Sequence, residues 1–571
     1  MFYAWLLGFL LILLGGCTGP QAQHPFAAIR IRWEHDPESL DPLALPNQQA
    51  IDAANLLFPS LLAVDLKANN YAPALAAQLP VVKLLPGNLL RLDYYLRPEA
   101  TWDDGQPVLA ADVAFTLKLL QCPGLPHENV RSQVEFIREC RPDPTDPRHV
   151  IFICQGQSPE HRLASGDFPI VAEHMLDAAQ TLRAFPLTEL RERGADLPAA
   201  QAVAERYRQL NVARYPGRLT SCGPYQLVSW QSGRALLFKR KAHWWADRLR
   251  PAPFVLQAQA PQLQFLIMPD AAAAALALQR HELDVLPQVS VRAFQRLRAS
   301  GTRHELAFFA TPSYDVVMVG FNTRRPALRD RLTRQALGCL LDPEALLTAT
   351  QLGQGVRTAS LVPPGQPFYN DSLPLPAHRP AQTVALLRQA GWHQTPEGWQ
   401  RPGQTAALHL TLRYRADENL FQAVALQFQA AAAQLGIPVE LRPAEAGITT
   451  QALHVGDFDL YARLVRGNPF AFDFSPVLRS GATGNFMQFS NSRADQLLAA
   501  IAATDEPTRK RRLLRNLQAL VQQEAPLVPL FFTANRVVAS RQLQNLTVSG
   551  LKPGYASAAL SRAASEAADS R

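Results

Sequence analysis

The sequence predicts an α/β protein of more than one domain. Its 571 residues suggest two to four domains, and 47% hydrophobic residues are ample for several cores. The clearest pattern is a βαβ unit in the second half, with a strand at 408–414, an amphipathic helix at 420–435 and a strand at 439–442. Because such a unit joins parallel strands by a right-handed crossover, we expect a mixed or parallel sheet there.

Further strands and helices alternate along the chain before this unit. Alternation of apolar and polar residues predicts strands, and longer apolar periodicity predicts helices. We predict strands at 28–33, 89–96 and 263–268, a hairpin of 224–230 with 235–240, and helices at 48–62, from 110 and at 271–282.

The first residues have the pattern of an export signal. An apolar run at 4–14 is too short to cross about 30 Å of hydrocarbon, but it suits a signal peptide. It leads into a Leu-Gly-Gly-Cys sequence ending at Cys17, which resembles the bacterial lipobox. We therefore predict a signal peptide at 1–16, a lipid on Cys17 and a tether at 17–26. Residues 1–3 lack the usual positive charge, so a buried N-terminal helix remains the alternative.

The remaining cysteines give no clear disulfide or metal site. Residues 141–148 predict a hairpin loop centred near Thr145. In that register Cys140 faces His149 or Val150, and Cys154 lies roughly 13 Å further along. A direct bridge is therefore not expected unless the loop is asymmetric. The cysteines and histidines between 122 and 161 lack the tight spacing of metal ligands, so we expect no metal.

Charge and motifs argue against nucleic-acid binding and catalysis. The net charge of +8 comes from scattered arginines, and the densest basic run, at 509–512, is interpreted as the solvated face of a helix. The sequence contains no Gly-x-Ser-x-Gly, no phosphate-binding Gly-x-x-x-x-Gly-Lys and no His-Glu-x-x-His. We therefore predict no enzyme activity, no catalytic residues and no cofactor.

Six motifs then occur in order along nearly the whole mature chain. They are Leu-Asp-Pro at 40–42, Leu-Arg-Pro-Glu-Ala-Thr-Trp-Asp-Asp-Gly at 96–105, Gly-Pro-Tyr at 223–225 with Trp-Trp at 244–245, Gly-Phe-Asn-Thr at 320–323 with Arg-Gln-Ala-Leu at 334–337, Ala-Gly-Trp at 390–392, and Ala-Pro-Leu-Val-Pro-Leu at 525–530. In this order they resemble the family 5 bacterial extracellular solute-binding proteins, the binding components of ABC importers for peptides, dipeptides and nickel.

The resemblance implies a two-lobed periplasmic-binding-protein fold of class II, with mixed β-sheets flanked by helices and an extra subdomain in lobe I. Two crossing strands join the lobes, which close around a ligand by hinge motion. The expected segments are 27–65 and 165–288 for lobe I, 66–164 for the inserted subdomain, 289–527 for lobe II, 528–556 for the return to lobe I, and 557–571 for a disordered tail.

The same resemblance implies a function in the cell envelope. We expect a monomer that is anchored to a membrane through Cys17, captures a peptide or another small molecule, and delivers it to ABC permease subunits. Two alternatives stay open: a solute-sensing or interaction protein of the same fold without transport, and a metal-dependent envelope enzyme.

The ligand residues are inferred from peptide-binding members, in which an acid eight residues after a Phe-Asp pair holds the ligand's amino group. Here that position is Asn468, which gives up a charge-assisted bond on the order of 1–2 kcal/mol. Asp473 supplies the carboxylate if the alignment slips by five residues. Arg463 and Arg466 either favour an anionic or amine-blocked ligand or point to solvent.

Two further residues complete the predicted ligand-binding set. Tyr461 lies next to the arginines in the same predicted segment, and Asn322 belongs to the Phe-Asn motif. A turn or hinge bond is the alternative role for Asn322.

Overall fold

The computed structural model describes residues 28–403, 406–467, 470, 472–504 and 506–563. The predicted signal peptide, the lipidation site Cys17 and its tether lie outside these residues, and so does Asn468. No helix within the described ranges is long and apolar enough to cross a membrane.

The strands are numbered in chain order. They are β1 Ile29–Trp33, β2 Leu62–Asp65, β3 Asn70–Pro73, β4 Val81–Leu85, β5 Leu89–Tyr95, β6 Ile137–Pro142, β7 His149–Gln155, β8 Tyr225–Gln231, β9 Ala235–Arg240, β10 Gln262–Ile267, β11 Val285–Leu286, β12 Leu306–Phe321, β13 Val356–Arg357, β14 His393–Thr395, β15 Gly398–Gln400, β16 Leu410–Arg415, β17 Val439–Ala444, β18 Leu460–Arg466, β19 Leu527–Ser540, β20 Leu543–Gln544 and β21 Ser561–Arg562.

The α-helices are numbered in the same way. They are α1 Gln48–Leu57, α2 Ala110–Leu119, α3 Glu128–Gln133, α4 Pro159–Ala164, α5 Glu173–Leu176, α6 Leu187–Arg193, α7 Pro198–Leu210, α8 Ala271–Gln279, α9 Val291–Ala299, α10 Arg331–Gly338, α11 Pro343–Gln351, α12 Pro380–Gln389, α13 Asn419–Ala433, α14 Ala446–Val455, α15 Ser475–Leu478, α16 Ser492–Ala502 and α17 Pro507–Glu524.

One large sheet runs through both halves of the protein. Its order within the described residues is β17-β16-β18-β12-β19-β11-β1-β10-β9-β8, with β13 beside β19. Strands β12, of 16 residues, and β19, of 14 residues, pair antiparallel along most of their length, with an irregularity between Pro312 and Val316. We call lobe I the part that carries β1 and β8 to β11, and lobe II the part that carries β16 to β18. The two long strands therefore form the connection between the lobes.

The lobe II part of β12 is buried on both faces. Val317, Val319 and Phe321 belong to one hydrophobic cluster, while Val316 and Met318 belong to another. Because successive side chains of a strand point to opposite faces, this alternation places a core on each side of the sheet. The result is the predicted α/β architecture with helices flanking a mixed sheet.

The structure confirms the strands and helices predicted from local sequence patterns, but some of their predicted ends differ. Strands β16 and β17 pair in parallel with α13 between them in the chain, and β8 pairs antiparallel with β9, both as predicted. The helix predicted at 48–62 is too long, since α1 ends at Leu57 and Phe58 is already extended. Pro59 follows directly, and a proline disfavours helical conformation in the residue before it.

A separate four-stranded sheet, in the order β4-β5-β7-β6, lies within the predicted inserted subdomain. In this sheet Cys140 faces Phe152 and Cys154 faces Ile137, so the hairpin register differs by two or three residues from the predicted one. The five cysteines among the described residues are free thiols.

Two predicted segments need correction. Phe294 and Leu297 of α9 pack in one cluster with Leu278 and Val538, so the segment predicted to open lobe II at 289 lies with lobe I. The change of lobe therefore falls within β12.

The predicted disordered tail from 557 is wrong for 557–563. Leu560 is fully buried, and β21 pairs with β20. The Arg562 guanidinium also lies 2.8 Å from Asp284. Burial, strand pairing and an ion pair together fix this segment on lobe I.

Candidate ligand cleft between the lobes

The parallel strands of the two lobes point their carboxyl ends at each other. In lobe I, β1 runs parallel to β10 and β11, and β11 pairs Leu286 with Val538 and Val285 with Ala539. Strand β19 runs from lobe II into lobe I and is antiparallel to β11. The carboxyl ends of β11 and of its parallel neighbours therefore face lobe II. In lobe II, β16 and β17 run parallel to β18, whose last residue, Arg466, pairs with Asp315 near the middle of β12.

This arrangement locates the candidate site. Ligands of open α/β sheets bind outside the carboxyl ends of the strands. Here two such edges oppose each other across β12 and β19, so the space between them is a cleft with a wall from each lobe. Residues at the amino ends of the same strands lie on the far sides of the lobes.

The lobe I wall contains a recess beside helix α1, which we call the α1 recess. It is lined by Trp33 and Glu34 at the end of β1, by Gln48 and Asp52 of α1, and by Tyr555. The Gln48 side-chain amide donates to the Asp52 carboxylate at 2.8 Å. Burial raises the pKa of Asp52 to about 7, an effect that the Gln48 bond only partly opposes. Among the described residues, no cation lies within ion-pair distance of Asp52.

Charged groups also meet at the strand crossing. Burial raises the pKa of Asp315, while Lys552 and Arg466 act in the opposite direction. Burial lowers the pKa of Lys552, Arg466 lowers it further, and Asp315 opposes both effects. Arg466 and Lys552 are both exposed to solvent.

The lobes also touch through a pair of aromatic rings. The rings of Tyr71 and Phe470 lie 4.7 Å apart, and the Tyr71 hydroxyl donates to Asp167 at 2.5 Å. Burial raises the pKa of Asp167, which the Tyr71 bond partly opposes. The contact joins strand β3 to the residues that follow β18.

A second group of charges also lies between the two lobes. Burial raises the pKa of Glu160 to about 7, the Asp473 carboxylate raises it as well, and Lys510 opposes this. Lys510 is only 8% exposed, and its ammonium lies 6.0 Å from the centre of the Phe368 ring. The interpretation of 509–512 as a fully solvated face is therefore wrong for Lys510.

Two predicted ligand residues do lie at the cleft. Arg466 ends β18 beside Asp315. Asp473 accepts a bond from the Ser475 backbone N–H at 2.8 Å and is close enough to Glu160 to affect its pKa. Their contact with a ligand stays a prediction.

Two others lie at the opposite end of β18, roughly 20 Å away at about 3.3 Å per residue. The Asn322 side-chain amide donates to the backbone carbonyls of Gly456 and Phe458, at 3.1 and 3.2 Å, which is the alternative role as a turn bond. Tyr461 is 1% exposed and pairs with Gly320. The placement of these two residues in the cleft needs correction, because strand register puts them on its far side.

Arg463 lies between these two ends. Its guanidinium lies 5.0 Å from the centre of the Phe486 ring, which accounts for its charge without a ligand. Within the described residues, no group of three or more His, Cys, Asp or Glu side chains is arranged to hold a metal ion.

The sequence analysis missed Asp52, Trp33 and Tyr71. A usable signal existed for Asp52, because Gln48 and Asp52 stand four residues apart in the helix after the first strand. That spacing puts both polar groups on one helix face near a strand's carboxyl end. The contact of Tyr71 with Phe470 has no such signal, since the residues are distant in sequence.

The comparisons with known proteins agree with this geometry. Residues 73–486, more than half of the chain, match the family model described as bacterial extracellular solute-binding proteins, family 5 Middle. Protein XP55 of Streptomyces lividans is 25% identical over 498 residues, covering 85% of this chain and 79% of its own length. The periplasmic murein peptide-binding protein MppA of Escherichia coli K12 is 25% identical over 520 residues, covering 88% and 87%.

A solved structure shows the same fold over nearly the whole length. The oligopeptide-binding protein AppA from Bacillus subtilis, in complex with a nonapeptide, superposes with a TM-score of 0.66 at 18% identity, covering 94% of this chain and 99% of AppA. Members of the matched family are solute-binding proteins rather than enzymes. The chain belongs to the bacterial extracellular solute-binding proteins of family 5.

Proposed function

We propose that the protein is a lipid-anchored, extracytoplasmic binding component that captures an oligopeptide-like ligand between its lobes and delivers it to an ABC importer. The observation that carries this proposal is the pair of opposed strand edges on either side of β12 and β19. Closure about two crossing strands buries a ligand on both sides, and a permease can recognise the closed form.

An extended peptide suits the chemistry of the two walls. The lobe I wall presents the Asp52 carboxylate without a cation partner among the described residues, and the lobe II wall ends in Arg466. A peptide with free ends carries an ammonium and a carboxylate, which these groups complement. Two of the similar proteins are named for peptide ligands, namely MppA and AppA.

Calorimetry on the mature, ligand-stripped protein tests peptide capture directly. We expect saturable heat with tetra-alanine, a raised melting temperature, and no breakdown of the peptide on long incubation. A protein that binds neither tetra-alanine nor a mixed pool of di- to hexapeptides contradicts the peptide proposal.

The anchor is proposed from the Leu-Gly-Gly-Cys sequence that ends at Cys17. Metabolic labelling with an alkyne fatty acid is expected to mark the wild type and the control variant Cys339→Ala, but not Cys17→Ala. Equal labelling of all three proteins contradicts an anchor at Cys17.

A further inference from the structure

The α1 recess holds an unpaired acid at the carboxyl end of the first parallel strand. Its cavity volume is about 20 Å³, which is room for one water-sized group. Asp52 receives one hydrogen bond, from Gln48, and has free acceptor capacity because a carboxylate can accept several. An ammonium group is similar in size to a water molecule, so a recess of this kind can admit one.

The same recess contains a buried donor that is poorly satisfied. Trp33 is 3% exposed, and its indole nitrogen makes no hydrogen bond of normal geometry among the described residues, although it is close enough to the Tyr555 hydroxyl to lower the pKa of that group. The ring stacks on Phe265 with centroids 4.1 Å apart, which fixes its plane. Buried donors are normally satisfied, so an indole N–H held this poorly by Tyr555 can take a better acceptor from a ligand.

The other charged groups of the recess do not neutralise Asp52. The Arg32 guanidinium is committed to the backbone carbonyls of Met268 and Pro269, at 2.8 and 3.0 Å. Glu34 adds a second negative charge, 4.0 Å from Arg32. Burial raises the pKa of Tyr555 far above neutrality, Asp52 raises it further and Trp33 only partly opposes this, so the phenol stays uncharged. The recess therefore favours a cation.

We propose that the α1 recess binds the free amino end of the ligand backbone, with Asp52 accepting from the ammonium and the Trp33 indole donating to the first carbonyl. In a peptide these two groups lie on either side of one α-carbon, so an ammonium that enters the recess brings the first carbonyl to the edge of its lining. This inference rests on the proposed function and moves the amino-end contact from the position predicted from the sequence, Asn468, to lobe I.

Two probe peptides test this assignment by calorimetry: tetra-alanine and N-acetyl-tetra-alanine, which differ only in the amino group. We expect the wild type to prefer the free amine by at least about tenfold, the scale of a charge-assisted hydrogen bond. Asp52→Asn should abolish this preference, whereas the charge-matched surface variant Glu38→Gln should retain it. Trp33→Phe keeps an aromatic ring in contact with Phe265 but removes the indole N–H, and it should weaken the binding of both peptides several-fold.

Two outcomes overturn the assignment. One is a preference that survives in Asp52→Asn. The other is a preference that disappears in Asp473→Asn instead, which places the ammonium on lobe II.

If no peptide binds, the proposed peptide function fails and the recess is tested by itself. The protein is then labelled with carbon-13 aspartate, and the NMR signal of the Asp52 carboxyl is identified by its loss in Asp52→Asn. A pH titration of this signal gives the apparent pKa of Asp52 with and without L-alaninamide. We expect L-alaninamide, but not N-acetyl-alaninamide, to lower this pKa below its value in the ligand-free protein. An apparent pKa of Asp52 that does not change on adding L-alaninamide overturns the inference.

Discussion

The two ends of strand β18 play different parts in this protein. At the amino end, Tyr461 is buried in the lobe II core, and Asn322 ties the neighbouring turn through backbone carbonyls. At the carboxyl end, Arg466 faces lobe I beside Asp315 and Lys552. The comparison teaches that the direction of a strand in a parallel array decides whether a residue builds the lobe or meets the ligand.

The largest expected effect is a difference in stability between variants at the two ends of β18. Tyr461→Ala removes a buried aromatic ring and should lower the free energy of unfolding by about 3–4 kcal/mol. Arg466→Gln should change it by less than about 0.5 kcal/mol, since an exposed charge contributes little. Urea denaturation of both variants measures the difference. Similar losses for the two would contradict the assignment of buried and cleft-facing ends.

A smaller effect concerns the pH dependence of lobe I. The pKa of Asp52 is raised by burial to about 7, well above the value of about 4 in an unfolded chain. A raised carboxyl pKa means that the folded state holds the proton more tightly, so this group costs stability as pH rises from about 4 to about 7.

Asp52→Asn removes that cost and should make the ligand-free protein more stable than wild type by about 1–3 kcal/mol at pH 8, allowing for partial water access. At pH 4, where Asp52 is protonated, the two proteins should be equal. Denaturant titrations at both pH values check this. A stability difference that does not vary with pH would show that Asp52 is not held at a raised pKa.

The sequence could predict those parts of the fold that depend on neighbours in the chain. The βαβ unit and the β8–β9 hairpin are set by local periodicity and were located within a few residues. The long strand β12 was not predicted, because Pro312 and Ser313 interrupt its apolar pattern in the middle. Its continuity comes from pairing with β19, more than two hundred residues later in the chain.

The site was less predictable for the same reason. Motif resemblance pointed to Asn322, whose amide serves the backbone, and to Arg466, which does lie at the cleft. The α1 recess joins β1, α1 and the segment around Tyr555, and no local pattern reports that these meet. Recognising Asp52 needed the tertiary fact that it has no cation partner among the described residues.

The smallest expected effect concerns the charge at the carboxyl end of β18. Arg466→Gln should weaken binding of tetra-alanine by about three- to tenfold, with a smaller effect on tetra-alanine amide, which lacks the terminal carboxylate. Arg463→Gln is the matched control, since that guanidinium is stacked over Phe486. Calorimetry measures the affinity of both variants for the two peptides. If Arg466→Gln loses the same affinity for tetra-alanine and for tetra-alanine amide, the result would argue against a contact with the terminal carboxylate.

Small-angle X-ray scattering of the ligand-stripped protein, with and without saturating tetra-alanine, tests most directly whether two lobes close over a ligand about β12 and β19. We expect the radius of gyration to fall on adding the peptide, because closure brings the opposed strand edges together. Bound peptide with an unchanged scattering curve, under conditions where calorimetry shows saturation, would contradict hinge closure as the means of capture.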